Sequence, residues 1–431
     1  MVKHRTSVVK HRNFVVKIYF RIMLPTKYFL LSIFLLINLS SRAQSKLDNG
    51  TWHCSLQLTQ TASLPFELSV TDSAGIKKLF IINGEEKIPV QSYREQGDSI
   101  LIVPSVFQTE IKAAIKTNDY GEKYLEGIFV DYARIGNYTI RFFAHNSAMV
   151  EAPGILDEQP DFSGKWECRF SPGTVDSSVA VGIFTQKNNS ASGTFLTTTG
   201  DYRYLSGSAI SNVLVLSAFD GAHLFLFVAE MQKDNTLKGE FWSGKHHHET
   251  WIAKRNDTFQ LPASDKLTFL KPGWKSLRFS FPDADSTIVS LADEKFDHKV
   301  VLVQISGSWC PNCMDETRVL IPLYKKYHDQ GLEIILLNFE RKAEWSYVQK
   351  TLKHEQDVFQ IPYPILFAGL TSKSSESLPM LNKIIGYPTL IIMNRDGIVV
   401  KIETGINGPA TGDLYEKWKD DLESYVKKLL E

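Results

Sequence analysis

Residues 300–306 read Val-Val-Leu-Val-Gln-Ile-Ser, a continuous apolar run whose one large polar residue is Gln304. It shows no period-two alternation, so a strand made of it must be covered on both faces. Three residues later stands Trp309-Cys310-Pro311-Asn312-Cys313. A helical stretch to Gln330 follows, with Val319, Leu320, Leu323 and Tyr327 on one face and Gly331 as its stop. A second buried strand is predicted over 332–339, a helix over 342–355 and a short strand over 363–367. Segments 389–393 and 398–402 flank Asn394-Arg395-Asp396-Gly397 as a hairpin, and 413–430 closes as an amphipathic helix. This order predicts an α/β domain over 276–431, its central sheet covered by helices.

Two cysteines at i and i+3 at the start of a helix lie on one face, one turn apart. The unpaired N–H groups of the first turn stabilise a thiolate on the first of them. The second is placed to attack a mixed disulfide formed on the first. Pro311 suits the first helical position, where its missing N–H costs nothing. Cys310 is therefore the candidate nucleophile and Cys313 the more buried resolving thiol. Zinc would require a second such pair or histidines at matching spacing, which do not follow, so no metal is expected. The two sulfurs carry the redox chemistry themselves, so no cofactor is expected either.

Upstream, Gly50-Thr51-Trp52-His53-Cys54-Ser55-Leu56 matches Gly164-Lys165-Trp166-Glu167-Cys168-Arg169-Phe170 at a distance of 114 residues. Each heptapeptide is followed by short runs rich in β-branched and aromatic residues, punctuated by turn pairs such as Asn83-Gly84, Gly97-Asp98 and Asp220-Gly221. The spacing predicts two duplicated antiparallel all-β domains, barrel or sandwich, over 44–150 and 161–257. Linkers are expected at 151–160 and 258–275, neither long enough for the domains to swing freely. Trp52 and Trp166 read as core plugs. Cys54 and Cys168 are open to three readings: an inter-domain disulfide, buried thiols, or partners of Cys310. His246-His247-His248 alternates faces in a strand, which favours a surface hairpin over a metal site.

Residues 1–43 hold eight Lys and Arg and no acid, and Tyr28 begins an apolar run of twelve that ends at Leu39. Small residues up to Ala43 complete a signal-peptide layout, with cleavage expected after Ala43 and Met23 an alternative start. No Cys ends the apolar run, so a lipoprotein is not expected. Removal of the leader leaves 40 basic against 48 acidic residues, a mildly acidic body without a basic patch. That argues against nucleic acid as a partner.

The second half of the chemical signature is Gly386-Tyr387-Pro388-Thr389, a proline entering a strand. Together with Trp309, Cys310, Cys313 and Glu316 as W-C-x-x-C-x-x-E, it resembles the TlpA-like (ResA-like) periplasmic thiol-disulfide oxidoreductases of the thioredoxin fold. The likeness covers about 276–431, with 342–381 long enough for the family's extra segment. It implies that Pro388 is a cis-proline set against the two cysteines. It also implies that Trp309 and Tyr387 contact substrate, Tyr387 through its backbone, and that Glu316 handles the proton of Cys313. Three departures stand out: the order Pro311-Asn312 within the motif, Thr317-Arg318 after the Glu, and Gln304 where thioredoxins bury an Asp.

The expected activity is disulfide exchange with exported proteins in the periplasm or cell envelope. The resemblance implies a reducing direction and a membrane electron donor. Two alternatives compete: a binding protein whose β-domains hold the main function, and a peroxidase on the thioredoxin fold. Because the β-domains offer no recognisable catalytic residue, they read as elements that position partners and add no chemistry.

Overall fold

The computed structural model describes residues 47–146, 160–262 and 266–431. The leader and most of the first linker lie outside the described residues. The described residues form one compact unit. Among the described residues no helix is long and apolar enough to cross a membrane.

Both heptapeptides form the first strand of an antiparallel sheet, Gly50–Gln57 in one and Gly164–Phe170 in the other. The duplication extends to hydrogen bonds. Trp52 Nε1 donates to the Asp48 carbonyl at 3.0 Å and Trp166 Nε1 to the Phe162 carbonyl at 2.9 Å, each four residues back. Both indoles are fully buried, so each ring fills a core while its one polar atom finds a partner. The Cys54 and Cys168 thiols each donate to the carbonyl two residues earlier. Both are free and buried, in separate cores, and they form no inter-domain disulfide.

The copies differ in closure. In the second, strand Ser178–Lys187 pairs with both Gly164–Phe170 and Ser190–Thr197, so its nine-stranded sheet closes into a barrel. In the first, the edge strands Glu86–Pro89 and Ser92–Gln96 do not pair with each other, leaving a half-barrel. A hairpin of the second copy, Val213–Phe219 with Leu224–Met231, fills the opening. Its Phe219, Leu224 and Leu226 belong to the first core, while Leu214, Leu216, Phe225 and Phe227 belong to the second. This explains why these two strands are apolar on both faces in an otherwise alternating β region. Asn83 seals the join by exchanging two hydrogen bonds with the backbone of Phe219. The Ser105 hydroxyl donates to the Asp220 carbonyl at 2.8 Å and that of Thr109 to the Gly221 carbonyl at 2.6 Å.

The third region is the expected α/β sheet. Its strand order is Ile365–Leu370, Leu332–Glu340, Val300–Ser306, Thr389–Met393, Val399–Thr404; the first three are parallel and the last two antiparallel. Helices Pro311–Tyr327, Trp345–Phe359 and Asp413–Leu430 contribute Leu320, Leu323, Val348, Leu352, Leu422 and Val426 to one core. The other face departs from the expected helical cover. Leu277, Phe279, Val289 and Phe296 pack there beside Leu378, Met380 and Leu381, from short strands and turns on either side of the domain.

One buried cation joins all three regions. Arg203, in the second barrel, ion-pairs with Glu86 of the half-barrel at 2.9 Å and with Asp220 of its own barrel at 3.1 Å. It also pairs with Asp315 on the helix that carries the cysteines. Removing one partner of a buried ion network leaves uncompensated charge, at a cost of roughly 3–5 kcal/mol. Arg203→Met is expected to lower the stability of the chain by that order, measured as a fall in the urea midpoint. A midpoint within error of the parent would show that the cluster does not hold the regions together.

Candidate active site

The fully buried strand Val300–Ser306 ends where Gly307 opens a turn, and the Cys310 N–H bonds back to the Gly307 carbonyl at 3.0 Å. A side chain at Gly307 would run into the Trp309 indole at 2.5 Å. The indole donates to the Phe339 carbonyl at 2.9 Å. It is held between Arg341, whose guanidinium lies 4.4 Å from the ring, and Tyr387, edge-on at 5.2 Å.

Cys310 is the N-cap of helix Pro311–Tyr327. The backbone N–H of Cys313 donates to its sulfur at 3.3 Å, and Pro311 fills the first helical position. The sulfur thus takes the place of a capping side-chain oxygen and meets the positive end of the helix. The Cys310 thiol lies 3.5 Å from the Tyr387 carbonyl oxygen, to which it donates, and the Tyr387–Pro388 peptide is cis. Trp309, Cys310, Cys313, Tyr387 and Pro388 are therefore gathered in one place. Cys313 is fully buried, and that burial pushes its thiol well above the usual value, with the adjacent Cys310 and Glu316 adding to the rise.

Glu316 is not a solvated helix-face residue. It is 1% exposed, and one carboxyl oxygen has no hydrogen-bond partner. Burial, reinforced by nearby Glu403, pushes it up to about 8, against a smaller opposing pull from Gln304. Gln304 is tied in as well: its amide donates to the Cys313 carbonyl at 3.1 Å, and its oxygen accepts from Thr317 at 3.1 Å. Sequence reading noted Thr317 only as a departure from the family pattern and gave it no role; it also donates to the Cys313 carbonyl at 2.9 Å. A hydroxyl one turn beyond Cys313, facing Gln304, was the available signal.

The larger omission lies in the second barrel. The tip of its hairpin, Thr197 to Asp201, sits on the cysteine site. Asn312 donates to the Asp201 carbonyl at 3.1 Å, and the Asp201 carboxylate accepts from the Gly408 N–H at 2.8 Å. A Cβ at Gly386, next to Tyr387, would meet Thr199 at 3.0 Å. One at Gly405 would meet the Thr199 carbonyl carbon at 2.3 Å. Cys310 is left only 5% exposed. Sequence reading took the β-domains to position partners and add no chemistry, and it did not anticipate this direct contact with the cysteine site. The segment Thr-Thr-Thr-Gly-Asp at 197–201 was legible as a turn, but nothing in it announces its target.

The histidine run takes no shared ligand geometry. His247 pairs with Glu249 at 3.1 Å and His248 with Glu240 at 3.5 Å, while His246 turns to the Tyr138 hydroxyl at 3.1 Å. Among the described residues no group of three potential metal ligands comes together.

The AhpC/TSA family matches residues 272–402. The thiol-disulfide oxidoreductase ResA of Bacillus thuringiensis subsp. konkukian is 27% identical over 157 residues, which is 36% of this chain and 78% of the relative. ResA of Halalkalibacterium halodurans is 26% identical over 136 residues, 31% of this chain and 69% of that protein. A thiol:disulfide interchange protein of Chlorobium tepidum, among solved structures, is 20% identical. It covers 36% of this chain and 96% of its own length, with a TM-score of 0.29. The last third of the chain is thus an AhpC/TSA-family region, thioredoxin-like and similar to the ResA thiol-disulfide oxidoreductases.

Proposed function

We propose that the chain exchanges disulfides with exported proteins of the cell envelope through Cys310 and Cys313, acting as a reductant. The observation that carries this reading is the Cys310 sulfur itself. It caps a helix, accepts the Cys313 N–H and lies beside the Tyr387 carbonyl. The Cys310 thiolate attacks one sulfur of a substrate disulfide, forming a mixed disulfide and releasing a substrate thiolate that takes up a proton. Cys313, deprotonated, then attacks Cys310. The Cys310–Cys313 disulfide forms, the second substrate thiol departs, and two electrons have passed to the substrate. A membrane-bound donor of two electrons would restore the dithiol. Trp309 and Tyr387 would line the substrate's path. The peroxidase alternative is less well supported, because a second thiol one turn away serves exchange and is not needed to cleave an O–O bond.

Replacing the resolving thiol tests this directly. Cys313→Ser should accumulate partners linked to Cys310, visible as high-mass bands on non-reducing gels that collapse on reduction. Envelope extracts that yield no such adduct would count against disulfide exchange.

In this mechanism the ionised form of Glu316 takes the proton of Cys313; a carboxyl held near 8 is a stronger base than an ordinary carboxylate, and its ionised fraction grows as pH rises towards 8. Its ordinary value is 4.5, so the folded chain retains a proton that the unfolded chain releases. Stability contributed by the neutral acid is present at low pH and lost as pH rises from about 4.5 through about 8. Glu316→Gln should therefore gain stability relative to the parent at pH 9 but not at pH 4, while slowing release of the second substrate thiol near neutrality. A pH–rate curve identical to the parent's would assign the proton to another group.

The hairpin tip at 197–201 acts as a lid that a protein disulfide must displace to reach Cys310. Asp201→Ala removes the bond to Gly408, and one hydrogen bond is worth ~1 kcal/mol. Alkylation of Cys310 by iodoacetamide should accelerate about fivefold. An unchanged rate would mean that the thiol is reached by a route that avoids the hairpin.

A further inference from the structure

Where the three regions meet, on the Trp309 side of the site, lies a cavity of about 210 Å³. At ~30 Å³ per water it would hold about seven waters. Its walls come from the half-barrel (Phe107, Asp131, Arg134), the closed barrel (His223, Leu224, Phe225, His246) and the cysteine domain (Trp309, Arg341). None of these residues has a part in the exchange chemistry except Trp309, the neighbour of Cys310.

The cations in this space are not all ion-paired. Arg134 pairs with Asp131 at 3.1 Å, and His223 with Asp220 at 3.1 Å. Arg341 is half-buried and makes no hydrogen bond or ion pair with any described residue; its guanidinium lies over the face of Trp309, and Asp131 and Glu340 attract it from beyond hydrogen-bonding distance. The two guanidiniums face one cavity, and they push His246 further down after burial has lowered it, to about 4, so that its ring is neutral. The Arg341 guanidinium is left without a hydrogen-bonded anion. A guanidinium partly withdrawn from water without one is costly, and an acceptor with two oxygens matches its fork of donors. The remaining wall, Phe107, Leu224, Phe225 and Trp309, is apolar.

We infer that this cavity binds a monocarboxylate with a short apolar body, its carboxylate on Arg341 and its body against the aromatic wall. The carboxylate could be that of a free small acid or the C-terminus of a polypeptide, and both present the same chemistry to Arg341. Either would sit against the face of Trp309 and place a ligand beside the residue that precedes Cys310.

Calorimetric titration of the full chain at constant ionic strength tests this, with chloride as background anion. The probes are 4-methylpentanoate and a tetrapeptide ending in leucine, as free acid and as amide. Binding of one molecule per chain is expected for at least one of the free acids and not for the amide. Arg341→Gln should weaken it about tenfold or more, the size expected for loss of a charge-assisted contact. Arg134→Gln provides a second reading from the opposite wall, and Lys428→Gln, on the C-terminal helix, should leave binding unchanged. Binding of the pentanoate would identify a small-molecule site, and binding of the peptide acid alone would identify capture of a chain end. If neither acid binds above the chloride background, or if Arg341→Gln and Arg134→Gln bind as the parent does, the inference is overturned.

Discussion

The Arg203 side chain, 8% exposed, touches carboxylates from three different parts of the chain. Burial alone would make it a weaker base, yet Asp315, Asp220 and Glu86 reverse that and hold it well above the ordinary range for arginine. The acids are shared in turn. Arg318 takes the other oxygen of Asp315 at 2.7 Å, His223 pairs with Asp220, and Asn83 donates to Glu86 at 3.1 Å. Burial opposes ionisation of Asp220 as well, but His223 and Arg203 bring it down to about 2. A network of this kind yields little net stability compared with a well-packed apolar core. What it supplies is register. Asp315 lies two residues beyond Cys313, so a barrel shifted by a few ångströms would leave charge buried without a partner.

That register has a prior condition in the two β-domains. The half-barrel cannot cover its own core, and it borrows Phe219, Leu224 and Leu226 from its duplicate. At ~1.5–3 kcal/mol for each fully buried large side chain, these residues are a substantial fraction of a domain's net stability. The strand that ends at Phe219 leads directly into Asp220 and Gly221, which carry the bonds to Ser105 and Thr109. The packing that closes the half-barrel therefore also delivers Asp220 to Arg203. Apolar burial brings the surfaces together, and the ion network fixes the angle at which they meet.

How far the sequence revealed this follows from the range of each signal. The five strands and three long helices of the last region were readable because each is a local pattern: continuous apolar runs, a 3.6 period, a Gly stop. The two cysteines were legible from their spacing at a helix start, and the cis Tyr387–Pro388 peptide was anticipated from a resemblance carried by short motifs. The duplication was visible in seven residues, but barrel closure was not. Closure depends on Ser178–Lys187 having two partners, and alternation within one strand is the same in an open and a closed sheet. The doubly apolar hairpin 213–231 was a usable signal of a surface buried on both sides. The contacts of Thr199, Asp201 and Arg203 had none, since polar residues in a turn ordinarily face water.

Desolvation links these long-range contacts to chemistry. The hairpin tip lies against Gly386 and Gly405, and beneath the helix Glu316 and Cys313 have lost nearly all contact with solvent. Both groups then favour their neutral forms. Transfer of a proton from Cys313 to an already ionised Glu316 would leave the net buried charge unchanged, whereas ionising either group from the neutral pair is opposed by the same burial. Cys310, 5% exposed, is buried as well, but its sulfur caps the helix and accepts the Cys313 N–H. The asymmetry between the two sulfurs is thus partly local, set by the first turn of one helix, and partly a matter of the complete burial of the second.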